Sequence, residues 1–240
     1  MNHRRIDRPF HRVASGPVSG QVMKVLVVDV GGTSVKVFVS GQQAVRKFRS
    51  GPALSPKQMI AGVVAAAEDW IYDAVSIGYP GPVSRGRLLE EPRNLGVGWV
   101  GFDFMKAFGC PVKVVNDAAM QALGSYEGGR MLFLGLGTGL GSALIVDKVI
   151  MPMELAHLPY RKGRTFEDYV GLRGLERLGK TKWRQAVDDV VTRLKTALAA
   201  DYVVLGGGNA KKLVQLPEGA RLGDNAHAFI GGERLWKEPA

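Results

Sequence analysis

Two stretches of this chain, one beginning at Leu26 and the other at Leu132, carry the same pattern of apolar run, glycine-rich turn and apolar run. Leu26-Val-Val-Asp-Val-Gly-Gly-Thr-Ser-Val-Lys-Val-Phe-Val-Ser40 aligns with Leu132-Phe-Leu-Gly-Leu-Gly-Thr-Gly-Leu-Gly-Ser-Ala-Leu-Ile-Val146. Each reads as a β-hairpin whose turn is almost free of side chains. Such a turn lets a ligand approach the backbone closely, and its amides can hold an anion. Two of them in one chain predict two like half-domains facing each other across a cleft, each offering a phosphate cradle. That layout suits phosphoryl transfer.

Size and composition permit this. The chain has 240 residues, 46% of them apolar and 22% charged, which is ordinary for a folded domain. Cys110 is the single cysteine. It excludes an intramolecular disulfide and a cysteine zinc cluster, and it fits a reducing cytoplasm. No apolar run approaches a membrane span, and no signal-peptide core opens the sequence. The net charge of +10 asks for an acidic partner: nucleic acid, phosphorylated substrate or polyphosphate. Part of it lies in residues 1–22 and part in 161–184, where eight Lys or Arg face Glu167, Asp168 and Glu176. A solvated face explains such a run as readily as a binding site does. A nucleic-acid role lacks a recognition motif and clustered aromatics.

Along the chain, residues 1–22 show no periodicity and read as a disordered basic leader. Residues 23–115 read as an N-terminal lobe and 116–240 as a C-terminal lobe, with the last helix free to pack back on the first. Ser55-Pro-Lys-Gln58 predicts a capped helix start, followed by a helix burying Ile60, Val63, Val64, Ala67 and Ile71. Helices are also expected over Phe102–Phe108, Ala118–Glu127, Phe166–Leu178, Trp183–Ala200 and about Asn225–Trp236. Met131–Ile150 is the second hairpin. Strands and helices alternating in two similar halves give an α/β class with mixed sheets. Trp70, Trp99, Trp183 and Trp236 read as core or lobe-interface residues.

Several motifs bear chemistry. In Asp29-Val-Gly-Gly-Thr33 the glycine amides and the Thr33 hydroxyl can meet phosphate oxygens, and Asp29 can hold Mg²⁺ directly or through water. An ordinary hairpin with Asp29 capping the turn is the plain alternative. Gly137-Thr-Gly139 repeats the arrangement. Neither the dinucleotide GxGxxG nor a P-loop is present. Asn116-Asp117 ends a strand and starts a helix, where a carboxylate serves either as a cap or as a general base on a hydroxyl. Glu154-Leu-Ala-His157 places two polar side chains at i, i+3. The pair can grip adjacent hydroxyls, ligate a metal or merely decorate the surface. Gly206-Gly-Gly208 offers a flat backbone to phosphate, or simply a loop.

The ordered set resembles the ROK family of sugar kinases and repressors, within the two-lobed actin-like/hexokinase (ribonuclease H-like) fold with an interlobe cleft. The likeness is strongest to the polyphosphate glucokinase branch. It rests on Asp29-Val-Gly-Gly-Thr33 with Lys36, Tyr79-Pro-Gly81, Asn94-Leu95, Asn116-Asp-Ala118, Gly137-Thr-Gly-Leu-Gly-Ser-Ala143, Glu154-Leu-Ala-His157, Glu167 and Gly206-Gly-Gly208. The resemblance implies Asp117 as catalytic base for a sugar 6-hydroxyl. It implies Asn94, Asn116, Glu154, His157, Glu167 and Gly81 as the sugar site. Gly31, Gly32, Thr33, Lys36, Gly137, Thr138, Gly139, Gly207 and Gly208 would hold the phosphoryl donor, polyphosphate or ATP, and Asp29 would hold Mg²⁺. Ala156 replaces the glycine of the family's Glu-x-Gly-His, and the zinc-binding cysteine segment of many relatives is missing, so no zinc is expected. The implied protein is a cytoplasmic homodimer that phosphorylates glucose and binds neither nucleic acid nor membrane. A sensor that keeps the sugar site without catalysis, and an ATP-dependent kinase of mannose or an N-acetylhexosamine, are the alternatives.

Overall fold

Two five-stranded sheets carry the chain, and both are wound in one order. The computed structural model describes residues 22–237. The leader expected over residues 1–22 therefore lies, but for Val22, outside the described residues. The first sheet contains β1 (Val25–Val30), β2 (Ser34–Val39), β3 (Arg46–Arg49), β4 (Ala74–Tyr79) and β7 (Val112–Asn116). A short hairpin, β5 (Val83–Ser84) and β6 (Arg87–Leu88), interrupts it. The second sheet contains β8 (Arg130–Leu136), β9 (Leu140–Val146), β10 (Val149–Met153), β13 (Tyr202–Gly206) and β14 (Ala220–Leu222). Between β10 and β13 lies the small hairpin β11 (Pro159–Arg161) and β12 (Arg164–Thr165).

The strand orders are β3-β2-β1-β4-β7 and β10-β9-β8-β13-β14. In each sheet three consecutive strands run antiparallel, and the first of them then pairs in parallel with a strand reached by crossover. The like halves read from the glycine turns thus extend to whole sheets. Every residue of β4 is buried, as expected of a central strand covered on both faces. The second hairpin gains a third strand, β10, beyond the two expected.

The helices are α1 (Pro56–Ala66), α2 (Phe104–Phe108), α3 (Asp117–Ser125), α4 (Phe166–Val170), α5 (Leu172–Ala197) and α6 (His227–Arg234). Ser55 and Gln58 form the expected capping box at α1. The helix stops at Ala66, so Ile71 falls beyond it and is 67% exposed, while Met59 fills the core instead. In place of the helix expected over Phe166–Leu178, Gly171 in extended conformation ends α4, and α5 starts at once. Gly179, at φ 72° and ψ 164°, then breaks the helical geometry inside α5.

Trp99 and Trp183 are fully buried, one in the core of each sheet. A further apolar layer lies between the sheets, where α3 and α6 cross. There the Gly124 and Gly231 backbones come so close that a methyl on either would overlap a carbonyl of the other helix, His227 or Met120. α6 also rests on the first sheet. Ser76 Oγ donates to Gly232 O at 2.7 Å, Trp236 Nε1 donates to Ser76 Oγ at 2.8 Å, and Phe229 stacks on Phe38.

Candidate active site

The carboxyl ends of the central strands open into one cleft of about 700 Å³ between the sheets. Ligands of open α/β sheets settle at such ends. Both glycine turns reach it. Gly31-Gly32-Thr33 joins β1 to β2 and Gly137-Thr138-Gly139 joins β8 to β9, three residues each. Asp29, Gly31, Gly32, Lys36, Gly81, Asn94, Asn116 and Asp117 line the cleft from the first sheet's side. Gly137, Thr138, Gly139, Glu154, His157, Glu167 and Gly207 line it from the second. Two expected residues do not. Thr33 stands on the outer side of its turn, its carbonyl accepting from Ser50 N at 3.0 Å. Gly208 does not line the cleft, although its neighbour Gly207 does.

Asp117 occupies the cleft floor, and the cap question at its helix has a definite answer. Asn116 is the N-cap of α3, its Oδ1 accepting from Ala119 N at 3.1 Å. Asp117 is left as the first helical residue, its Oδ1 accepting from the adjoining Ala118 N at 2.8 Å. Its carboxyl is raised to about 7, chiefly by desolvation among the surrounding walls, then by the negative charge of Asp29; backbone amides oppose the rise. The group keeps some surface on the cleft. Asp29 itself pairs with Lys36 Nζ at 2.9 Å.

Glu154 and His157 bracket a single 3-10 turn, Leu155–His157, rather than an α-helix. Residues i and i+3 eclipse in that geometry, so both side chains still share one face. Ala156 packs into the core at the position of the expected glycine. Burial pushes the Glu154 carboxyl up, while His157 and Arg93 oppose that. Two residues of the expected sugar set have prior commitments. Asn116 Nδ2 donates to Gly81 O at 3.0 Å, tying the β4–β5 loop to the floor. Glu167 accepts from Leu140 N at 3.3 Å and from Arg173 Nη2 at 3.1 Å, which braces the second turn from beneath.

Of the run at 161–184 Glu167 lines the cleft but none of the Lys or Arg does; the cationic residues of the cleft wall are Lys36 and Arg93. Arg173 comes nearest, through its pair with Glu167. Sequence reasoning passed over Glu90, Glu91 and Arg93, although all three line the cleft just before Asn94. Glu91 accepts from Trp99 N at 3.0 Å and Val100 N at 3.2 Å, fastening the loop that presents Asn94. The acidic pair ahead of Pro92 was the available signal.

Among the described residues no group of three or more His, Cys, Asp or Glu is arranged to hold a metal. Mg²⁺ asks for less, commonly one or two carboxylates completed by substrate phosphates and water. Asp29 fits that demand, because Asp29 and Asp117 repel across the cleft floor and a divalent cation would relieve the repulsion.

Known proteins share this fold. The fold is matched by the inorganic polyphosphate/ATP-glucomannokinase of Arthrobacter sp. strain KM, with TM-score 0.76, 21% identity, and coverage of 89% of this chain and 98% of that one. A ROK family glucokinase from Streptomyces griseus, in complex with glucose and AMPPNP, gives TM-score 0.69 at 17% identity over 88% and 98%. By sequence, a polyphosphate glucokinase of Mycobacterium tuberculosis is 27% identical over 209 residues, 77% of each chain. Fold, cleft and relatives define a sugar phosphotransferase on the hexokinase-type, actin-like fold. The ROK family profile matches residues 25–152, more than half of the sequence, and the chain belongs to that family.

Proposed function

We propose that the chain transfers a phosphoryl group from polyphosphate or ATP to the 6-hydroxyl of glucose, with Asp117 as general base. One observation carries the reading. Asp117 is a carboxyl that does not serve as the helix cap, on the floor of a cleft walled by both glycine turns, and its pKa is raised to about 7. A base so tuned accepts a proton most usefully as a hydroxyl attacks. Glu154, His157 and Asn94 supply acceptors and donors for the remaining hydroxyls. The turn amides and Lys36 receive donor phosphates, so that catalysis comes chiefly from positioning and charge stabilisation. Bound Mg²⁺ held by Asp29 would neutralise charge on the donor phosphates. Closure of the two lobes excludes water before transfer.

Polyphosphate as donor is supported by the Mycobacterium tuberculosis relative. Mannose as a second acceptor is supported by the fold likeness to a glucomannokinase. The deciding assay offers glucose, mannose and N-acetylmannosamine, each with ATP or long-chain polyphosphate and Mg²⁺, and measures hexose 6-phosphate. Glucose with polyphosphate is expected to give product. Product from ATP alone, with none from polyphosphate at low salt, overturns the donor assignment, and no product from any pair overturns the whole reading.

A further inference from the structure

The carbonyls of both glycine turns are held from outside the cleft by residues that no motif marks. In the second turn Leu136 O accepts from Asn209 N at 2.9 Å, Gly137 O accepts from Asn209 Nδ2 at 2.9 Å, and Thr138 O accepts from Leu172 N at 3.2 Å. In the first, Gly31 O accepts from Ser50 Oγ and Thr33 O from Ser50 N. Among the described residues no peptide bond is cis. In a trans peptide the carbonyl and the following N–H point in opposite directions. Fixing Gly137 O, Thr138 O and Gly31 O outward therefore sends the amides of Thr138, Gly139 and Gly32 the other way, toward the cleft their residues line. Among the described residues none of these three amides donates to a protein acceptor. Without such restraint, glycine-rich peptide planes turn over readily and present oxygen instead of hydrogen.

We propose that Ser50 and Asn209 are positioning residues, one for each lobe, that hold the turn carbonyls out of the cleft and so aim the turn amides at the phosphate donor. This rests on reading the turns as phosphate cradles. Both residues are built for the task. Asn209 is 8% exposed, and Lys212 Nζ donates to its Oδ1 at 2.7 Å, which fixes the amide so that Nδ2 faces Gly137 O. Lys212 is held in turn, since its carbonyl accepts from Arg184 Nε and Nη2 at 2.9 and 2.7 Å, anchoring the unit to α5. Ser50 follows β3 directly, so the sheet itself sets its place.

The test compares the full chain with Asn209→Asp, Ser50→Ala and Ser50→Thr. Inorganic tripolyphosphate is titrated while backbone amide resonances are followed, and hexose affinity is measured by calorimetry. In the wild type the amides of Gly32, Thr138 and Gly139 should move together on titration. Asn209→Asp, which sets an acceptor against Gly137 O, and Ser50→Ala should each weaken tripolyphosphate binding about tenfold, as expected when a hydrogen bond to a charged group is lost. Ser50→Thr should restore it, and hexose affinity should stay within about twofold. Unresponsive turn amides in the wild type, undiminished tripolyphosphate affinity in the variants, or a parallel fall in hexose affinity each overturn the proposal. Should Asn209→Asp fail to fold, the Ser50 pair and the wild-type titration decide. Kinase activity is read separately from wild-type hexose 6-phosphate, so a silent enzyme with responsive amides removes the kinase and keeps the aiming.

Discussion

The carboxyl of Asp117 sits one residue inside α3, whose cap is made by its neighbour Asn116. With Asn116 making the cap bond to Ala119 N, Asp117 is left facing the cleft, and burial raises its carboxyl to about 7. Since the ionised form is the base, hexose kcat/KM should fall about tenfold per unit as pH drops below about 7. A pH–rate profile flat down to pH 5 would contradict that. The same shift has a cost for the fold. A carboxyl raised in the native state stabilises when protonated, and that stability is lost as pH rises from the unfolded value near 3.8 through about 7. Asp117→Asn should therefore unfold at a higher temperature than the wild type at pH 8, with the gap narrowing toward pH 4. A gap that widens in acid would show that burial is not what perturbs Asp117.

At the scale of elements, the crossing of α3 and α6 keeps the base in register with both sheets. α3 carries Asp117, α6 lies on the first sheet, and Asn225 just ahead of α6 and Ala228 in its first turn reach the cleft wall. Contact at Gly124 and Gly231 is backbone to backbone, so Gly231→Ala must push the helices apart. Overpacking of this kind costs about 1–3 kcal/mol, which urea unfolding should register, together with lower turnover. Unchanged stability would mean that the crossing is loose. Both helices were legible in the sequence, but their close crossing at Gly124 and Gly231 was not. Ser55 and Gln58 announced α1 because capping is local. By contrast, the ends of α1 and α4 meet residues distant in sequence, Arg46 Nη1 donating to Ala66 O and Leu172 N to Thr138 O. Ser50 and Asn209 escaped for the same reason, since each acts on a turn remote in sequence.

Across the whole molecule, the paired hairpins were readable because glycine turns between apolar runs are specified by fifteen residues each, whereas the repeat of strand order emerged only in the structure. Charge was less informative. The +10 total pointed to an acidic partner, yet Lys36 and Arg93 are the Lys and Arg that line the cleft, and none of those in 161–184 does. If long-chain polyphosphate leaves the cleft across that surface, its affinity should fall more steeply with salt than that of tripolyphosphate, because each further phosphate contact releases counterions. Equal slopes would show the outer basic surface unused. The base itself is tested most directly by hexose 6-phosphate turnover of Asp117→Asn beside calorimetric hexose binding. Binding should be nearly intact and turnover should drop by about 10²-fold or more; a variant that keeps more than about a tenth of wild-type turnover would remove Asp117 from the role of base.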